Sequence, residues 1–234
     1  MTEDVLTKLR GNLIVSCQAR VGWPMYGPDI MAAFAKAAEI GGAAGIRATG
    51  PDNIRAIKKK VDLPIIGINK IFGKYPVYIT PTYASAEAIL KEGIDIVAID
   101  ATAREREGHE NPVEIAKKIH EHYPKVLVMG EISTIQEALD VSEGPYDLIS
   151  TTLCGYTDES KEEGLGGIEL VKKISPFVRK PIIAEGKIST AEMAVEALEA
   201  GAFSVVVGTA ITRPEVITSR FVQGIRSYED SLLR

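Results

Sequence analysis

Two apolar runs of this chain each deliver an ionisable group near their end: Leu63-Pro-Ile-Ile-Gly-Ile-Asn-Lys70 and its later echo Lys180-Pro-Ile-Ile-Ala-Glu-Gly-Lys187. Apolar surroundings disfavour the charged forms, lowering a lysine pKa and raising a carboxyl pKa, so Lys70 and Glu185 have the makings of an acid–base pair near neutral pH. Four more polar residues close apolar runs: Gln18, Arg47, Asp100 and Glu131. Collecting Lys, Arg, Asp and two Glu in one place is costly unless they pair or meet a polar ligand, which turns the set from ion-pair decoration toward a binding site for a polar small molecule.

Two later segments suggest what that molecule carries. Ala184-Glu-Gly-Lys-Ile-Ser and Val207-Gly-Thr-Ala-Ile-Thr-Arg each place a glycine directly after an apolar run. Gly186 and Gly208 let backbone N–H groups approach an anion, Thr209 adds a hydroxyl, and Lys187 and Arg213 add charge, so these five residues are the candidate phosphate site. The hydroxyl-rich segment Ser150-Thr-Thr-Leu-Cys-Gly-Tyr-Thr157 supplies Thr152 and Tyr156 as candidates to line a sugar pocket, with a polar turn as the alternative reading. Arg104 to Glu110 reads as a solvated loop, and His109, His120 and His122 as surface residues without ligand spacing.

These residues need a scaffold that brings many strand ends together. Short β-branched runs alternate with helical stretches throughout, the pattern of parallel strands joined by crossover helices. Eight strands are predicted: Leu13–Gln18, Ala44–Arg47, Ile65–Lys70, Ile94–Asp100, Val126–Glu131, Leu148–Thr151, Ile182–Glu185 and Ser204–Val207. Pro28, Pro51 and Pro112 suit first helical turns, Ser85, Thr134 and Thr190 suit N-caps, and Gly41-Gly42, Gly93, Gly144 and Gly201 suit left-handed helix ends. Eight such units, with the Pro64 and Pro181 runs half a chain apart, predict an α/β fold: a single (β/α)8 TIM barrel of the phosphate-binding type over residues 1–234, its outer ring closed by the tail from Pro214. In that fold the strand C-termini form the active-site rim, and period-two alternation puts Lys70 on the face of Ile66 and Ile68, and Glu185 on that of Ile183.

Composition narrows the class. The 234 residues carry a net charge of -5 and lack a basic stripe, which argues against a nucleic-acid partner. The acidic N-terminus does not read as a signal peptide and no run is long enough to span a bilayer, so a cytoplasmic protein with no membrane partner is expected. Cys17 and Cys154 read as buried thiols, no metal-ligand spacing occurs, and the acid–base chemistry calls for no cofactor.

The landmarks Ser16-Cys-Gln18, Gly45-Ile-Arg47, Pro64-Ile-Ile-Gly-Ile-Asn-Lys70, Asp100-Ala-Thr102, Glu131-Ile-Ser-Thr134, Thr151-Thr-Leu-Cys-Gly-Tyr-Thr157, Ala184-Glu-Gly186 and Val207-Gly-Thr-Ala-Ile-Thr-Arg-Pro214 follow in an order that resembles the N-acetylmannosamine-6-phosphate 2-epimerase family over nearly the whole chain. The resemblance implies epimerisation at C2 of N-acetylmannosamine 6-phosphate in sialic acid breakdown, with Lys70 and Glu185 as the catalytic pair. It also implies that Gln18 and Arg47 hold the sugar, that Arg213 lies near the phosphate, and that the protein is a homodimer. Two positions depart from the family pattern: Glu131 stands for an aspartate, and Ile71-Phe72-Gly73 for Arg-Asp-Tyr. Two rival expectations remain at this level, a lyase in which Lys70 forms a Schiff base and a barrel that binds a sugar phosphate without turning it over.

Overall fold

The computed structural model describes residues 2–162 and 166–232. Eight parallel strands, β1 (Leu13–Cys17), β2 (Gly45–Thr49), β3 (Ile65–Ile68), β4 (Ile96–Asp100), β5 (Leu127–Glu131), β6 (Leu148–Ser150), β7 (Ile182–Glu185) and β8 (Ser204–Val207), close into a barrel in chain order. All eight predicted strands are present, β7 and β8 with the predicted bounds and the other six with shifted ends. β2 runs on to Thr49, so Arg47 is its middle residue, and β3 stops at Ile68, leaving Lys70 beyond it in an isolated antiparallel bridge with Ile79.

Alternation divides the strand side chains between two apolar layers. Ile14, Ile66, Ile68, Ile96, Ala98, Met129, Leu148, Ile183 and Val206 fill the barrel interior, while Val15, Ile46, Ile65, Val97, Val128, Ile149, Ile182 and Val205 pack outward under the helices. The interior is therefore solid hydrocarbon along most of its length, and polar groups are confined to its ends. A helix the sequence reading did not anticipate, α1 (Thr2–Leu9), stoppers the N-terminal end with Leu9. Gly45 makes room for that plug, since a Cβ there would lie 2.7 Å from Leu9 Cδ2.

The surrounding helices begin and stop largely as their local chemistry dictates. Pro28, Pro51 and Pro112 open α2 (Pro28–Ile40), α3 (Pro51–Lys58) and α5 (Pro112–His122). Before α5 lies α4 (Tyr83–Leu90), whose N-cap is Thr82; Ser85 is the third residue of the helix and completes a capping box with it, three positions from where it was expected. Thr134 caps α6 (Ile135–Glu143), with the Glu137 carboxylate returning to the Thr134 N–H at 3.0 Å. After it come α7 (Asp158–Glu162) and α8 (Gly167–Ile174); Thr190 then caps α9 (Ala191–Glu199). Gly42, Gly93 and Gly201 are left-handed as expected, whereas Gly144 is extended, with φ -81° and ψ 178°.

Behind β8 a one-turn helix, α10 (Thr209–Thr212), leads into α11 (Pro214–Leu232). This last helix does not close the outer ring as predicted. It packs on α10 at its start and then leaves Phe221, Ile225 and Tyr228 exposed along one stripe. Among the described residues no helix is long and apolar enough to cross a membrane, and no group of His, Cys, Asp and Glu is arranged to hold a metal ion.

Candidate active site

At the C-terminal end of the barrel the hydrocarbon interior gives way to a cavity of about 450 Å³. Its base is Arg47, the largest fully buried side chain among the described residues, delivered from the inward face of β2. One guanidinium nitrogen donates to Glu131 Oε1 and another lies 3.1 Å from Glu185 Oε1, so the arginine ties β2 to β5 and β7 across the barrel. Burial alone would lower the Arg47 pKa, but the Glu131 and Glu185 carboxylates outweigh it and hold the guanidinium charged.

Glu185 is held from just past β6 as well as by Arg47. The Thr152 hydroxyl donates to its Oε2 at 3.0 Å, and Thr151 bonds its backbone carbonyl at 2.9 Å and its N–H at 3.1 Å. Burial raises the Glu185 pKa above the usual carboxylate range despite Arg47. Across the cavity Lys70 is brought down to about 8, first by burial and then by the Arg47 cation. The two groups act on each other electrostatically and stand on β7 and just past β3, four strands apart in an eight-stranded barrel. A bound molecule at the mouth would thus meet a lysine on one side and a carboxyl on the other.

The segment beyond β3 holds Lys70 in place. Thr80 N–H donates to Asn69 carbonyl at 2.8 Å, Ile71 N–H to Tyr78 carbonyl at 2.9 Å, and Lys70 N–H to the Thr49 hydroxyl at 3.3 Å. Of the residues expected in the site, Gln18, Arg47, Lys70, Thr152, Tyr156, Glu185, Gly186, Lys187, Gly208, Thr209 and Arg213 all line the cavity. Glu131 sits beneath it, fully buried against Arg47.

Asp100 does not belong to this group. It is buried beside Thr102, whose N–H and hydroxyl bond its Oδ1 at 3.0 and 2.6 Å, and it accepts a 2.6 Å bond from Arg104 on Oδ2. Arg106 is buried too, bonding the carbonyls of Asp100 at 2.8 Å and Thr102 at 2.5 Å. The loop read as solvated therefore folds two arginines inward to neutralise the end of β4, because a carboxylate on the inner face must find its charge partner nearby.

The phosphate candidates follow the adjacent strands β7 and β8 and line the same cavity. Gly186 has φ 112° and Lys187 φ 59°, a left-handed pair that turns the chain after β7. Gly208 lies against Ser16, where a Cβ would approach the Ser16 Cβ to 3.2 Å, and Thr212 bonds the Ser16 carbonyl at 2.8 Å. Arg213 stacks over the Trp23 ring at 3.9 Å. Sequence reasoning missed Arg20, Trp23, Tyr78, Ser189 and Arg220, which also line the cavity. They lie in loops and on α11, outside any strand pattern; the basic and aromatic residues just after β1 were the available signal.

Among the described lining residues six are cationic, Arg20, Arg47, Lys70, Lys187, Arg213 and Arg220, against the one carboxyl of Glu185, so the cavity favours an anionic occupant. Among the described residues, three buried polar atoms beside it have no hydrogen-bond partner in the structure: Gln18 Oε1, Arg47 Nε and Glu131 Oε2. Unpaired buried polar atoms are rare, and these three lie at the cavity or directly beneath it.

Residues 31–227 match the family described as "Putative N-acetylmannosamine-6-phosphate epimerase". A protein of Caldanaerobacter subterraneus named "Putative N-acetylmannosamine-6-phosphate 2-epimerase" is 51% identical over 235 positions, covering 100% of this chain and 99% of the relative. One of the same name from Listeria monocytogenes is 39% identical, covering 98% of each. A solved structure of the N-acetylmannosamine-6-phosphate 2-epimerase from Clostridium perfringens superposes with a TM-score of 0.88 at 42% identity, covering 93% of this chain and 95% of that one. A thiamine phosphate pyrophosphorylase from Pyrococcus furiosus shares the fold alone, with a TM-score of 0.58 at 18% identity.

Proposed function

The chain belongs to the N-acetylmannosamine-6-phosphate epimerase family, and from that premise we propose that Lys70 and Glu185 perform the proton transfers by which it epimerises N-acetylmannosamine 6-phosphate to N-acetylglucosamine 6-phosphate in amino-sugar catabolism. The observation that carries this assignment is the pair itself: a lysine near pKa 8 and a carboxyl with a raised pKa on opposite sides of one cation-lined cavity.

In the open-chain sugar the C2 proton is acidified by the C1 aldehyde. The neutral Lys70 amine takes that proton, and the electron pair of the C2–H bond moves into a C1–C2 enolate. Arg47 places fixed positive charge beside the developing oxyanion, where burial makes it effective. Glu185 in its acid form returns a proton to the opposite face of C2, giving the other epimer. Proton exchange through solvent then restores neutral Lys70 and protonated Glu185. Oxidation states are unchanged throughout, so the reaction calls for no redox cofactor. Gly186, Lys187, Gly208, Thr209 and Arg213 hold the 6-phosphate, and Thr152 and Tyr156 bound the sugar.

The protein works in this reading as a single cytoplasmic barrel domain, paired with a second copy through the Phe221, Ile225 and Tyr228 stripe of α11. Proton NMR of the purified protein with N-acetylmannosamine 6-phosphate in deuterated buffer tests the chemistry. The expected result is conversion with one deuterium at C2 of the product; conversion without deuterium would rule out a free enolate.

A further inference from the structure

Lys70 is not held by the parallel ladder of the barrel. β3 ends at Ile68, and the chain then leaves the sheet and returns, pairing Lys70 with Ile79 in an antiparallel bridge. The returning arm is anchored to rigid elements: the Asp100 N–H at the end of β4 donates to the Ile79 carbonyl at 3.2 Å, and Thr82 opens α4 with its capping box. Between these anchors stands Thr80, fully buried and left-handed, with φ 45°. A β-branched residue is an outlier in that region, which glycine enters freely, and the following Pro81 favours extended backbone instead. Local preference therefore does not put Thr80 there; the surrounding contacts do.

We propose that Thr80 is a positioning residue for the epimerisation, its hydroxyl fixing the segment that carries Lys70. The inference rests on the epimerase reading above and deepens it. Thr80 Oγ1 accepts from the Asn69 N–H at 3.1 Å while the Thr80 N–H donates to the Asn69 carbonyl at 2.8 Å, so one residue takes both backbone groups of the residue before the lysine. A glycine would suit the left-handed backbone but would lack that acceptor. The Asn69 side chain adds a third tie, donating to the Ser85 carbonyl of α4 at 3.0 Å. With Asn69 gripped in this way, the direction in which Lys70 leaves the backbone is set by β4 and α4. Proton transfer needs that precision, since a misplacement of about 1 Å costs roughly 100-fold in rate. Thr80 is not among the residues lining the cavity, so it acts through Lys70 and touches no substrate.

Thr80→Val, of nearly the same shape, removes the acceptor. It should lower kcat about 30-fold with KM within about threefold of the wild type. The ascending limb of kcat/KM should also move from near pH 8 to higher pH, as the loosened amine meets more water and returns toward ordinary lysine behaviour. Thr80→Ser keeps the hydroxyl and should restore kcat to within about fivefold of the wild type. Thr80→Gly relaxes the backbone without supplying a hydroxyl and should be as impaired as Thr80→Val; it carries the test if the valine protein does not fold. Added to Lys70→Ala, either hydroxyl-free change should cost less than about twofold further, because the group it positions is gone. Wild-type kcat in a hydroxyl-free variant, an unmoved pH profile, a loss in Thr80→Ser as large as in Thr80→Val, or equal losses with and without Lys70 would overturn the assignment. C2 deuteration of N-acetylmannosamine 6-phosphate by the wild type is scored in the same assay. Its absence would defeat the epimerase reading itself, whereas its presence with an unaffected Thr80→Val would defeat only the role of Thr80.

Discussion

Two clusters at the C-terminal end of this barrel use the same residue types to different ends. At the end of β4, Asp100 meets Thr102, Arg104 and Arg106, and both of its carboxylate oxygens are engaged. Around β2, β5 and β7, Arg47 meets Glu131 and Glu185, yet Arg47 Nε and Glu131 Oε2 remain unpaired and Lys70 faces the group from across a cavity. Both clusters are buried and both were legible as polar strand ends. What separates them is completeness: a satisfied cluster holds the fold, and an unsatisfied one that opens on a cavity is prepared for a ligand.

The sharpest way to break this comparison is to remove the lysine that only one cluster has. Lys70→Ala should lower kcat about 10³-fold, the scale of a lost general base, with little change in the melting temperature; turnover followed by NMR would refute the assignment if it stayed near the wild-type rate. The complementary change is Asp100→Asn. It leaves the buried Arg106 and the partly buried Arg104 short of a counter-charge and should cost about 3 kcal/mol of stability by urea unfolding, while kcat of the folded protein stays within about twofold. A large loss of kcat there would mean that the satisfied cluster also takes part in the chemistry.

The clusters should also differ in their response to pH. Lys70 is neutral only above its lowered pKa, so kcat/KM should rise through an ascending limb near pH 8. The sign for stability follows from the same shift. Between about 8 in the folded protein and the ordinary lysine value of 10.5, the unfolded chain binds the extra proton, so Lys70 makes stability increase as pH rises through that window. Lys70→Met should abolish that rise, which unfolding midpoints measured across the window would reveal.

The smallest effect is expected at Thr152, whose hydroxyl donates to Glu185 Oε2. Thr152→Val removes a hydrogen bond that favours the ionised carboxylate. The Glu185 pKa should move further up and kcat/KM should fall several-fold, about 1 kcal/mol in the barrier. An unchanged pH profile would show that Thr152 only fills space.

Much of this molecule was written locally. Alternating and β-branched runs determined eight strands because side-chain direction in a strand follows from backbone geometry alone, and prolines at first helical turns and capping threonines marked helix starts for the same reason. The chemical types of Lys70 and Glu185, and their place at the rim, came from that pattern as well. Ser85 and Gly144 mark the edge of this legibility: each lies in a helix terminus whose detailed geometry is settled by its neighbours, a capping box in one case and an extended exit in the other. Only the tertiary structure decided which polar strand ends share a cavity. Asp100 and Glu131 look alike in sequence, but one finds its arginines four and six residues ahead in its own loop and the other finds Arg47 three strands away. Closing the barrel also brought Arg20, Trp23 and Arg220 to the mouth and left Gln18 Oε1 without a partner. The cause is physical: a strand fixes where each side chain points, while the partner that satisfies its charge is chosen by the three-dimensional packing of the whole chain.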